Sequence, residues 1–404
     1  MYNWNTYNLG TLCTKVTSGG TPLRSKKEFY ENGKIPWLKT KEVANCRVYN
    51  AENKITQLGL EKSSAKLIPP NSVIVAMYGD GETAGRVAIN KIPLATNQAC
   101  CNLIIDSNKA DYEFIYYYLL NSYDYLVNLK SGSGQQNLSG AIIKEVEVIL
   151  PDLPTQRRIA EILSALDDKI ELNRRMNQTL EQMAQTLFRQ YFVDGIDEEN
   201  LPEGWKTEPL DEVANFLNGL ALQKYKPKDE KHFLPIIKIR ELKNGITSST
   251  EKADVNIPSQ YIIHDGDILF SWSGTLEADI WCHGDGALNQ HLFKVTSDKF
   301  PKWFYYYWVK EHLREFQSIA ASKATTMGHI KRSHLSEAIV YTSPEEHLSK
   351  ANNVIAPLLD KIVNCKVEIR RLIKLRDTLL PKLMSGEIDV MQLKTDEQHE
   401  PILS

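Results

Sequence analysis

Polar loops in both halves of this sequence carry side chains suited to hydrogen bonding with nucleic acid. Arginine and lysine pair with phosphate and with guanine edges, and the amides of asparagine and glutamine match adenine edges. In the first half these side chains are Arg24, Lys26, Lys27, Lys39, Lys41, Arg86, Gln135, Gln136 and Asn137. In the second half they are Lys224, Lys238, Arg240, Trp272, Ser273, Lys323, Thr325, Thr326, His329, Lys331 and Arg332. We expect the two sets to bind DNA, although ordinary surface exposure explains any single member equally well.

Two of these positions in each half recur at matched places. Lys39 and Lys41 correspond to Lys238 and Arg240, each pair just after an apolar run that predicts a strand. Because phosphate contacts position a protein without reading sequence, side chains that recur are better suited to phosphate than to bases. We therefore expect base reading from the variable loops around them. Those loops are residues 18–27, 79–86, 131–137, 223–226, 271–275 and 322–332.

The sequence repeats itself at a spacing of about half its 404 residues. Residues 35–43 match residues 234–242, and residues 95–98 match residues 287–290. Other matches follow in the same order along both halves, with small changes in spacing that belong in loops. An internal repeat of this length indicates a duplicated structural unit.

Each copy begins with short apolar runs and ends in a long helix. Residues 72–77 and 267–270 predict buried strands, and the segments at Tyr116 and Tyr305 predict short helices. The first long helix is predicted to begin with Thr155 as its N-cap and to end near Phe192. The second follows residues 343–346 and ends near Ser385, before Gly386.

A heptad seam runs along both long helices. Its apolar members are Ile159, Leu163, Leu166, Ile170, Leu180, Leu187, Ile355, Leu358, Ile362, Ile369, Leu372 and Leu379. Such a seam predicts that the helices pair, and Asn173 and Asn177 within it would fix their register. The alternative, that each helix only covers its own domain, is less consistent with a stripe that persists over about five heptads.

The predicted fold class is mixed α/β (α+β), with two similar globular domains separated by two long helices. The helices form an antiparallel coiled coil, and the duplication gives pseudo-two-fold symmetry. The predicted segments are a globular domain at 1–150, a helix at 151–193, a second domain at 194–342, a helix at 343–386 and a flexible tail at 387–404. A helix of about 38 residues is roughly 57 Å long. The two domains could then enter major grooves that lie one turn of DNA, about 34 Å, or more apart.

Composition and charge limit the protein classes that remain. Hydrophobic residues make up 42% and charged residues 25%, as in folded soluble proteins. The net charge of −3 means that a DNA-binding protein of this composition has either local positive charge or partner subunits that supply phosphate contacts. The six cysteines form no C-x-x-C pair, and the first residues do not resemble a signal peptide, so a cytoplasmic location is expected.

Three motifs could suggest other chemistry and are each better explained by structure. Residues 79–86 are glycine-rich but lack the Lys-Ser/Thr of a phosphate-binding loop, so a turn is favoured. Cys282, His283 and His291 are too few and too irregularly spaced for a metal site. The tyrosine-rich segments at 116–118 and 305–308 alternate with apolar residues and are expected in the core.

Several segments resemble the Type I restriction-modification specificity (S) subunit family. Leu-Pro-Glu-Gly-Trp at 201–205, followed by Leu-Asp-Glu-Val-Ala at 210–214, resembles the opening of a target-recognition domain of that family. Other similar segments are residues 138–150, 156–170, 185–192, 326–332 and 375–388. The resemblance covers nearly the whole chain, but the first copy lacks the Leu-Pro-x-Gly that should precede Trp4.

The resemblance implies a DNA-recognition subunit that is not catalytic by itself. It implies double-stranded DNA as ligand and a bipartite, asymmetric site read by two target-recognition domains. It also implies two modification (methyltransferase) subunits, which bind S-adenosylmethionine and methylate adenine, and restriction subunits that use ATP and Mg. No cofactor, metal or membrane is expected for this chain itself. The helices would be the docking surface, with Arg174, Arg175, Arg370 and Arg371 as candidates, although solvated arginines are the commoner case.

Two other functions remain open at this stage. One is a fused DNA methyltransferase or nuclease whose motifs are not recognisable, which methyl transfer or cleavage by the isolated chain would reveal. The other is a structural or adaptor coiled-coil protein whose globular domains bind protein. Failure to retain any duplex, with the partner subunits present, would favour the adaptor.

Overall fold

The computed structural model describes residues 4–79, 83–129, 137–322 and 328–392. The chain forms two compact units, the first from Met1–Asp168 and Lys374–Ser404 and the second from Lys169–Ile373. Each unit contains a globular part and a portion of both long helices. We call residues 4–150 of the first unit head 1, and residues 194–342 of the second unit head 2.

Head 1 is built from three antiparallel or mixed sheets and short helices. Its strands are β1 Asn5–Asn8, β2 Cys13–Ser18, β3 Ile35–Leu38, β4 Cys46–Val48, β5 Asn53–Ile55, β6 Leu67–Ile68, β7 Val73–Ala76, β8 Val87–Asn90, β9 Leu94–Thr96, β10 Cys100–Ile105 and β11 Glu147–Leu150. Its helices are α1 Gln57–Glu61, α2 Tyr112–Asn121, α3 Tyr123–Asn128 and α4 Gly140–Lys144, with 3-10 turns at Leu9–Leu12, Lys27–Phe29 and Thr40–Glu42. The strand orders are β2-β10-β7-β8-β4, β5-β3-β9-β6 and β1-β11. The long helix α5, Leu153–Phe192, follows.

Head 2 repeats this arrangement, with four strands where the largest sheet of head 1 has five. Its strands are β12 Lys206–Pro209, β13 Asn215–Asn218, β14 Phe233–Ile237, β15 Lys252–Asp254, β16 Ile262–Ile263, β17 Ile268–Ser271, β18 Ala278–Ile280, β19 Gly286–Leu288, β20 Leu292–Thr296 and β21 Ile339–Thr342. Its helices are α6 Leu210–Val213, α7 Ile239–Asn244, α8 Lys302–Ser322 and α9 Arg332–Glu337, with 3-10 turns at Leu222–Lys224 and Ser259–Tyr261. The strand orders are β13-β20-β17-β18, β15-β14-β19-β16 and β12-β21. The second long helix α10, Glu345–Met384, follows.

The strand register confirms the duplication inferred from sequence. In head 1, β3 and β9 are parallel with Leu38 opposite Thr96, and in head 2, β14 and β19 are parallel with Ile237 opposite Leu288. Antiparallel partners of the middle strands also coincide, with β6 on β9 and β16 on β19. The same apolar strand patterns therefore produce the same pairing twice.

Buried aromatic side chains make up much of both cores, as predicted. Tyr116 and Tyr117 are at most 1% exposed in head 1, and Tyr306, Tyr307 and Trp308 are at most 2% exposed in head 2. The helix around Tyr305 was predicted to be short, and that is wrong, since α8 has 21 residues. Its continuous apolar face, from Trp303 to Ala320, packs in the core of unit 2 and explains the extra length.

The long helices begin and end with recognisable capping. The prediction of Thr155 as N-cap is wrong, because α5 starts at Leu153 and the Asp152 carboxylate accepts the Thr155 backbone N–H at 3.0 Å. At the other end of the pair, α10 stops before Gly386, whose positive φ of 73° is the usual glycine C-cap conformation. Among the described residues, no helix is both long and apolar enough to cross a bilayer.

Within each unit the two long helices pack side by side and antiparallel. In unit 2, Asn173 donates to Glu368 at 2.9 Å and the Cys365 thiol lies 3.7 Å from the Met176 sulfur. Residue numbers rise along one helix as those of the contacting residues fall along the other, because further along α5 the Tyr191 backbone oxygen lies 3.1 Å from the His347 ring Nε2 of α10. The predicted pairing of the two helices is thereby confirmed.

The seam residues differ in how deeply they are buried. The buried members are Ile159, Leu163, Ile170, Ile355 and Ile362, each at most 2% exposed. The partly buried members are Leu166, Leu180, Leu187, Leu358, Ile369, Leu372 and Leu379. The helices also serve as core walls for the heads, because Phe188 and Phe192 of α5 lie in the core of unit 2. The alternative that each helix covers only the domain before it does not describe α5.

The C-terminal segment belongs to the core of unit 1. Leu380 and Leu383 pack with Ile159 and Leu163 in the same cluster as the β-strands of head 1. The segment that was predicted as a tail from residue 387 begins with Ile388 against this cluster and Val390 within it, only 1% exposed. Residues 393–404 lie outside the described part of the chain.

Candidate nucleic-acid interface

Four short segments meet at one edge of head 1, and we call them turn cluster 1. They are residues 19–21, 77–79, 97–99 and 137–138. Backbone hydrogen bonds join them: Gly20 N to Thr96 O at 2.9 Å, Met77 N to Ala99 O at 2.8 Å, and Leu138 N to Met77 O at 2.9 Å. Loops that lie far apart in sequence are thereby held together at one end of the strands β2, β10 and β7, and loops on a rigid scaffold are where binding residues are commonly placed.

The same four segments meet in head 2, as turn cluster 2. They are residues 219–221, 272–274, 289–291 and 328–330. The matching bonds are Leu220 N to Leu288 O at 3.0 Å, Trp272 N to His291 O at 3.4 Å, and Ile330 N to Trp272 O at 3.0 Å. The backbone frame of the candidate site is therefore duplicated together with the sheets that support it.

A glycine is required at the same point of both frames. A Cβ added to Gly19 would lie 2.1 Å from the backbone oxygen of Thr96, and one added to Gly219 would lie 2.3 Å from that of Asn289. Since such distances are far shorter than any van der Waals contact, only glycine lets these turns approach so closely.

Amide and hydroxyl groups are the prominent side chains of turn cluster 1. The Thr21 hydroxyl donates to the Gln98 amide oxygen, while the Gln98 side chain as a whole is exposed. The predicted Asn137 lies in the cluster and is partly buried. Arg86 lies beside the segment 77–79, because its backbone oxygen accepts the Ala76 N–H at 2.9 Å. An exposed, oriented glutamine amide is suited to bidentate pairing with an adenine edge.

Indole and imidazole groups occupy turn cluster 2 instead. The Trp272 indole N–H lies 3.1 Å from both the Asn218 side-chain oxygen and the Gln290 backbone oxygen. Ser273 and His291 share a hydrogen bond of 3.0 Å. The exposed His329 has its ring 6.3 Å from that of Trp272. The structure thus brings together Trp272, Ser273 and His329, which the sequence had placed in two separate loops.

A basic groove lies beside turn cluster 1. Arg24, Lys27 and Lys39 line a groove of about 390 Å³ together with one carboxylate, that of Glu31. Its wall includes Trp37, whose indole N–H donates to Gly20 O at 3.0 Å and so ties the groove to the cluster. Three cations against one anion make this groove suitable for a phosphate.

Other predicted basic residues are engaged within the protein. Lys41 pairs with Glu52 at 2.5 Å, Lys26 lies 3.9 Å from Glu28, and Arg240 pairs with the buried Glu241 at 2.7 Å. Arg332 donates to Phe216 O at 3.1 Å and lies over the Phe293 ring, so its guanidinium has a structural role. Lys331 and Lys224 are exposed at the start of α9 and the end of a 3-10 turn.

Five predicted site residues fall outside the described part of the chain. They are Gln135, Gln136, Lys323, Thr325 and Thr326. Their assignment to DNA binding stays a prediction from sequence.

The sequence prediction missed four residues that the structure places in the clusters. These are Gln98 in head 1 and Asn218, Gln290 and His291 in head 2. A signal was present, since Asn-Gln at 97–98 matches Asn-Gln at 289–290 in the duplication. Among the described residues, no group of histidine, cysteine and acidic side chains could hold a metal ion, His291 and Cys282 included.

Two duplicated heads with matching polar turn clusters, joined to a pair of long helices, define a two-headed recognition subunit. A family model described as "Type I restriction modification DNA specificity domain" matches residues 1–182 and again residues 202–376. The chain therefore belongs to this family, with one family domain in each half. It is a specificity subunit for DNA target recognition, a component that is not itself catalytic, and the cofactors belong to the modification and restriction subunits.

Curated relatives and a solved structure are similar over most of the chain. The MjaIX specificity subunit of Methanocaldococcus jannaschii is 28% identical, with 94% of this chain and 92% of that protein covered. The HindI specificity subunit of Haemophilus influenzae is 21% identical, with 96% and 100% covered. The crystal structure of a Type I restriction-modification S subunit from M. genitalium shares the fold, with a TM-score of 0.61, 18% identity, and 95% and 96% covered.

Proposed function

We propose that each head reads one half of a bipartite, asymmetric site on double-stranded DNA through its turn cluster. The observation that carries this proposal is the duplicated backbone frame with different side chains on it. Matching hydrogen bonds, such as Leu138 N to Met77 O and Ile330 N to Trp272 O, hold Asn137 and His329 at equivalent points. A common frame gives both heads the same approach to a groove, and the unlike side chains give them unlike sequences to read.

Gln98 and Gln290 are the base-reading residues that we assign first. Both follow an asparagine at the same turn, and their supporting backbone bonds are equivalent, with Asn97 N to Leu38 O at 2.9 Å and Asn289 N to Ile237 O at 3.2 Å. Glutamine pairs best with adenine, through N6 and N7. An adenine at a corresponding step of each half-site is the expected consequence.

Two modification subunits and restriction subunits are the partners that we propose for the long helices. The duplication supplies two similar docking faces, which suits two copies of one partner. Arg174, Arg175 and Arg371 are exposed on these helices and stay candidates for the contact. Arg370 is a poorer candidate, because its guanidinium is held by Asp265 at 2.7 and 2.8 Å within its own unit.

The test is to co-express the chain with its modification subunit and to map methylated adenines across the genome. The wild type should give one bipartite motif with unlike halves. Gln98→Ala should relax one half and Gln290→Ala the other, each by about 1–3 kcal/mol of discrimination.

The other candidate functions are outcomes of the same experiment. Relaxation of the same half by both variants, or of neither half, would remove the assignment of the two glutamines. Absence of any methylated motif, together with no retention of duplex DNA by the complex, would favour an adaptor protein.

A further inference from the structure

The two heads carry a lysine at the same point of the frame but give it different neighbours. In head 1 the Lys39 ammonium donates to the amide oxygen of Asn53 at 3.0 Å. In head 2 the ammonium of the matching Lys238 forms an ion pair with the Glu251 carboxylate. One lysine is held by a neutral group and the other by an anion.

Strand register shows that these neighbours are equivalent positions. On β3 and β5, Trp37 lies opposite Asn53. On β14 and β15, Pro235 lies opposite Lys252. The next pair in this antiparallel register is Ile236 and Glu251, and the Ile236 N–H donates to the Glu251 backbone oxygen at 2.7 Å. Trp37 lies two residues before Lys39, and Ile236 lies two residues before Lys238. The exchange of Asn53 for Glu251 is therefore a substitution at one site of the duplicated sheet.

The difference decides whether the lysine retains charge for a ligand. An ammonium has three N–H donors, and Asn53 engages one of them without cancelling the positive charge. The Trp37 ring, 5.4 Å from the Lys39 nitrogen, favours the cation further. In head 2 the Glu251 carboxylate neutralises Lys238, and its side chain is 62% exposed, where it would repel a nearby phosphate.

The surroundings of Lys39 strengthen its attraction for anions. Arg24 and Lys27 line the same groove, with Glu31 as the one lining acid among the described residues. In the described part of the chain, no carboxylate lies within ion-pair distance of the Lys39 ammonium.

We propose that head 1 makes the DNA phosphate contact at this position and that Glu251 prevents head 2 from making it. The inference rests on the proposed function, because it assumes that the heads bind duplex DNA. Head 1 is then the electrostatic anchor, and head 2 depends more on its base contacts. Glu251 is a positioning residue that weakens binding in the wild type, so its removal strengthens binding.

The experiment measures affinity of the complex with its modification subunits for a duplex carrying one mapped site, across about 50–200 mM salt. Log affinity falls linearly with log salt concentration, and each phosphate contact adds about 0.9 to the magnitude of this slope, which is the quantity compared below. Lys39→Gln should lower the slope by about 0.9, while the matched Lys238→Gln leaves it unchanged. Glu251→Gln should raise both the affinity and the slope, by up to about 0.9, and adding Lys238→Gln should cancel that gain.

Charge exchange between the heads provides the matched control. Asn53→Asp should lower the slope as Lys39→Gln does, and the double variant Asn53→Asp with Glu251→Gln should return it to the wild-type value. The same changes should occur on a duplex of unrelated sequence, because phosphate contacts do not depend on sequence. Unchanged thermal unfolding of each variant separates these effects from misfolding.

The outcomes separate the inference from the function on which it rests. Equal losses from Lys39→Gln and Lys238→Gln, or no gain from Glu251→Gln, would overturn the inference and leave DNA recognition by the heads intact. Failure of the wild-type complex to bind either duplex would overturn both.

Discussion

Head 1 and head 2 share a backbone frame but present unlike side chains at its turns. The turn after β7 carries Met77 and Tyr78, whereas the turn after β17 carries Trp272 and Ser273. The bonds that hold these turns to their neighbours are nonetheless the same in both heads. The comparison shows that duplication preserved the geometry of the support while the side chains differ where a ligand would be read.

The two units also differ in how their heads are fixed to the long helices. In unit 1 the Asp167 carboxylate of α5 accepts from the Tyr117 hydroxyl at 2.7 Å and from Arg376 of α10 at 2.8 Å. Burial raises the pKa of Tyr117, and the charge of Asp167 raises it further, so the phenol remains a donor. In unit 1 two of these contacts therefore share one carboxylate, that of Asp167, and Arg47 of head 1 forms a further ion pair with Asp168 of α5.

Unit 2 distributes the same task over separate pairs. Tyr306 donates to Glu181 at 2.8 Å, and Lys366 donates to Asp279 at 2.6 Å. Arg370 pairs with Asp265 at 2.7 Å. Removal of Asp167 should therefore damage unit 1 more than removal of any one of these groups damages unit 2.

Asp167→Ala is expected to have the largest effect. It leaves the buried Tyr117 hydroxyl without its acceptor and the Arg376 guanidinium with only the exposed Asp377, which should cost about 3 kcal/mol. The matched Glu181→Ala in unit 2 leaves only the Tyr306 hydroxyl, a neutral donor, without its acceptor and should cost about 1 kcal/mol. Hydrogen exchange of amides in β7 for unit 1 and in β17 for unit 2 measures the two losses separately. Equal losses in the two units would show that Asp167 contributes no more to the attachment of its head than Glu181 does.

The sequence predicted the fold better than the attachments because the two depend on different information. Apolar strands, helix ends and the repeat are local or periodic signals, and the structure confirms the duplicated heads and the paired helices. Asp167 and Arg376 are more than two hundred positions apart, so nothing local marks them as partners. Arg376 lies between the seam residues Leu372 and Leu379, where the heptad pattern alone identifies no partner for it.

The site was predicted only in part for a related reason. Loop residues with suitable chemistry could be named, but which loops meet depends on sheet pairing over long distances. Trp272 and His329 were named in different loops, and the bridge between residues 273 and 329 joins them. Asn53 and Glu251 gave no signal, since their importance depends on the lysine that faces them from the neighbouring strand.

The helix pair in unit 2 gives a second contrast, between two buried asparagines. Among the described residues, both asparagines have a buried side-chain oxygen without a hydrogen-bond partner, but the Asn173 amide also donates to Glu368. Asn177→Leu should therefore stabilise unit 2 by about 1 kcal/mol, because it removes an unsatisfied polar atom. The matched Asn173→Leu deprives Glu368 of a donor and should give no gain. Thermal unfolding with exchange in α5 would report both, and equal stabilisation would argue against this account.

Acid should weaken unit 2 by the smallest of these effects, through Asp265. Partial burial would raise the pKa of Asp265, but the Arg370 guanidinium lowers it below its ordinary value of 3.8. A carboxylate whose pKa is lowered by folding stabilises the protein above its unfolded pKa, and that contribution is lost as the pH falls through the folded value. In unit 1, burial raises the pKa of Asp111 more than the N–H groups of Phe114 and Glu113 lower it. Protonation of Asp111 as the pH falls therefore favours the folded state, opposite to the effect at Asp265.

Amide protection in unit 2 should therefore fall relative to unit 1 as the pH decreases from about 5 to about 3, after correction for intrinsic exchange rates. The Asp265–Arg370 pair is partly exposed, so solvent screening keeps its share below about 1 kcal/mol. Asp265→Asn abolishes the titration while keeping a hydrogen-bond acceptor, and it should flatten the relative loss in unit 2 and leave unit 1 unaffected. If the variant shows the same relative loss as the wild type, other carboxylates cause it, and the distributed attachment of unit 2 does not depend on this pair.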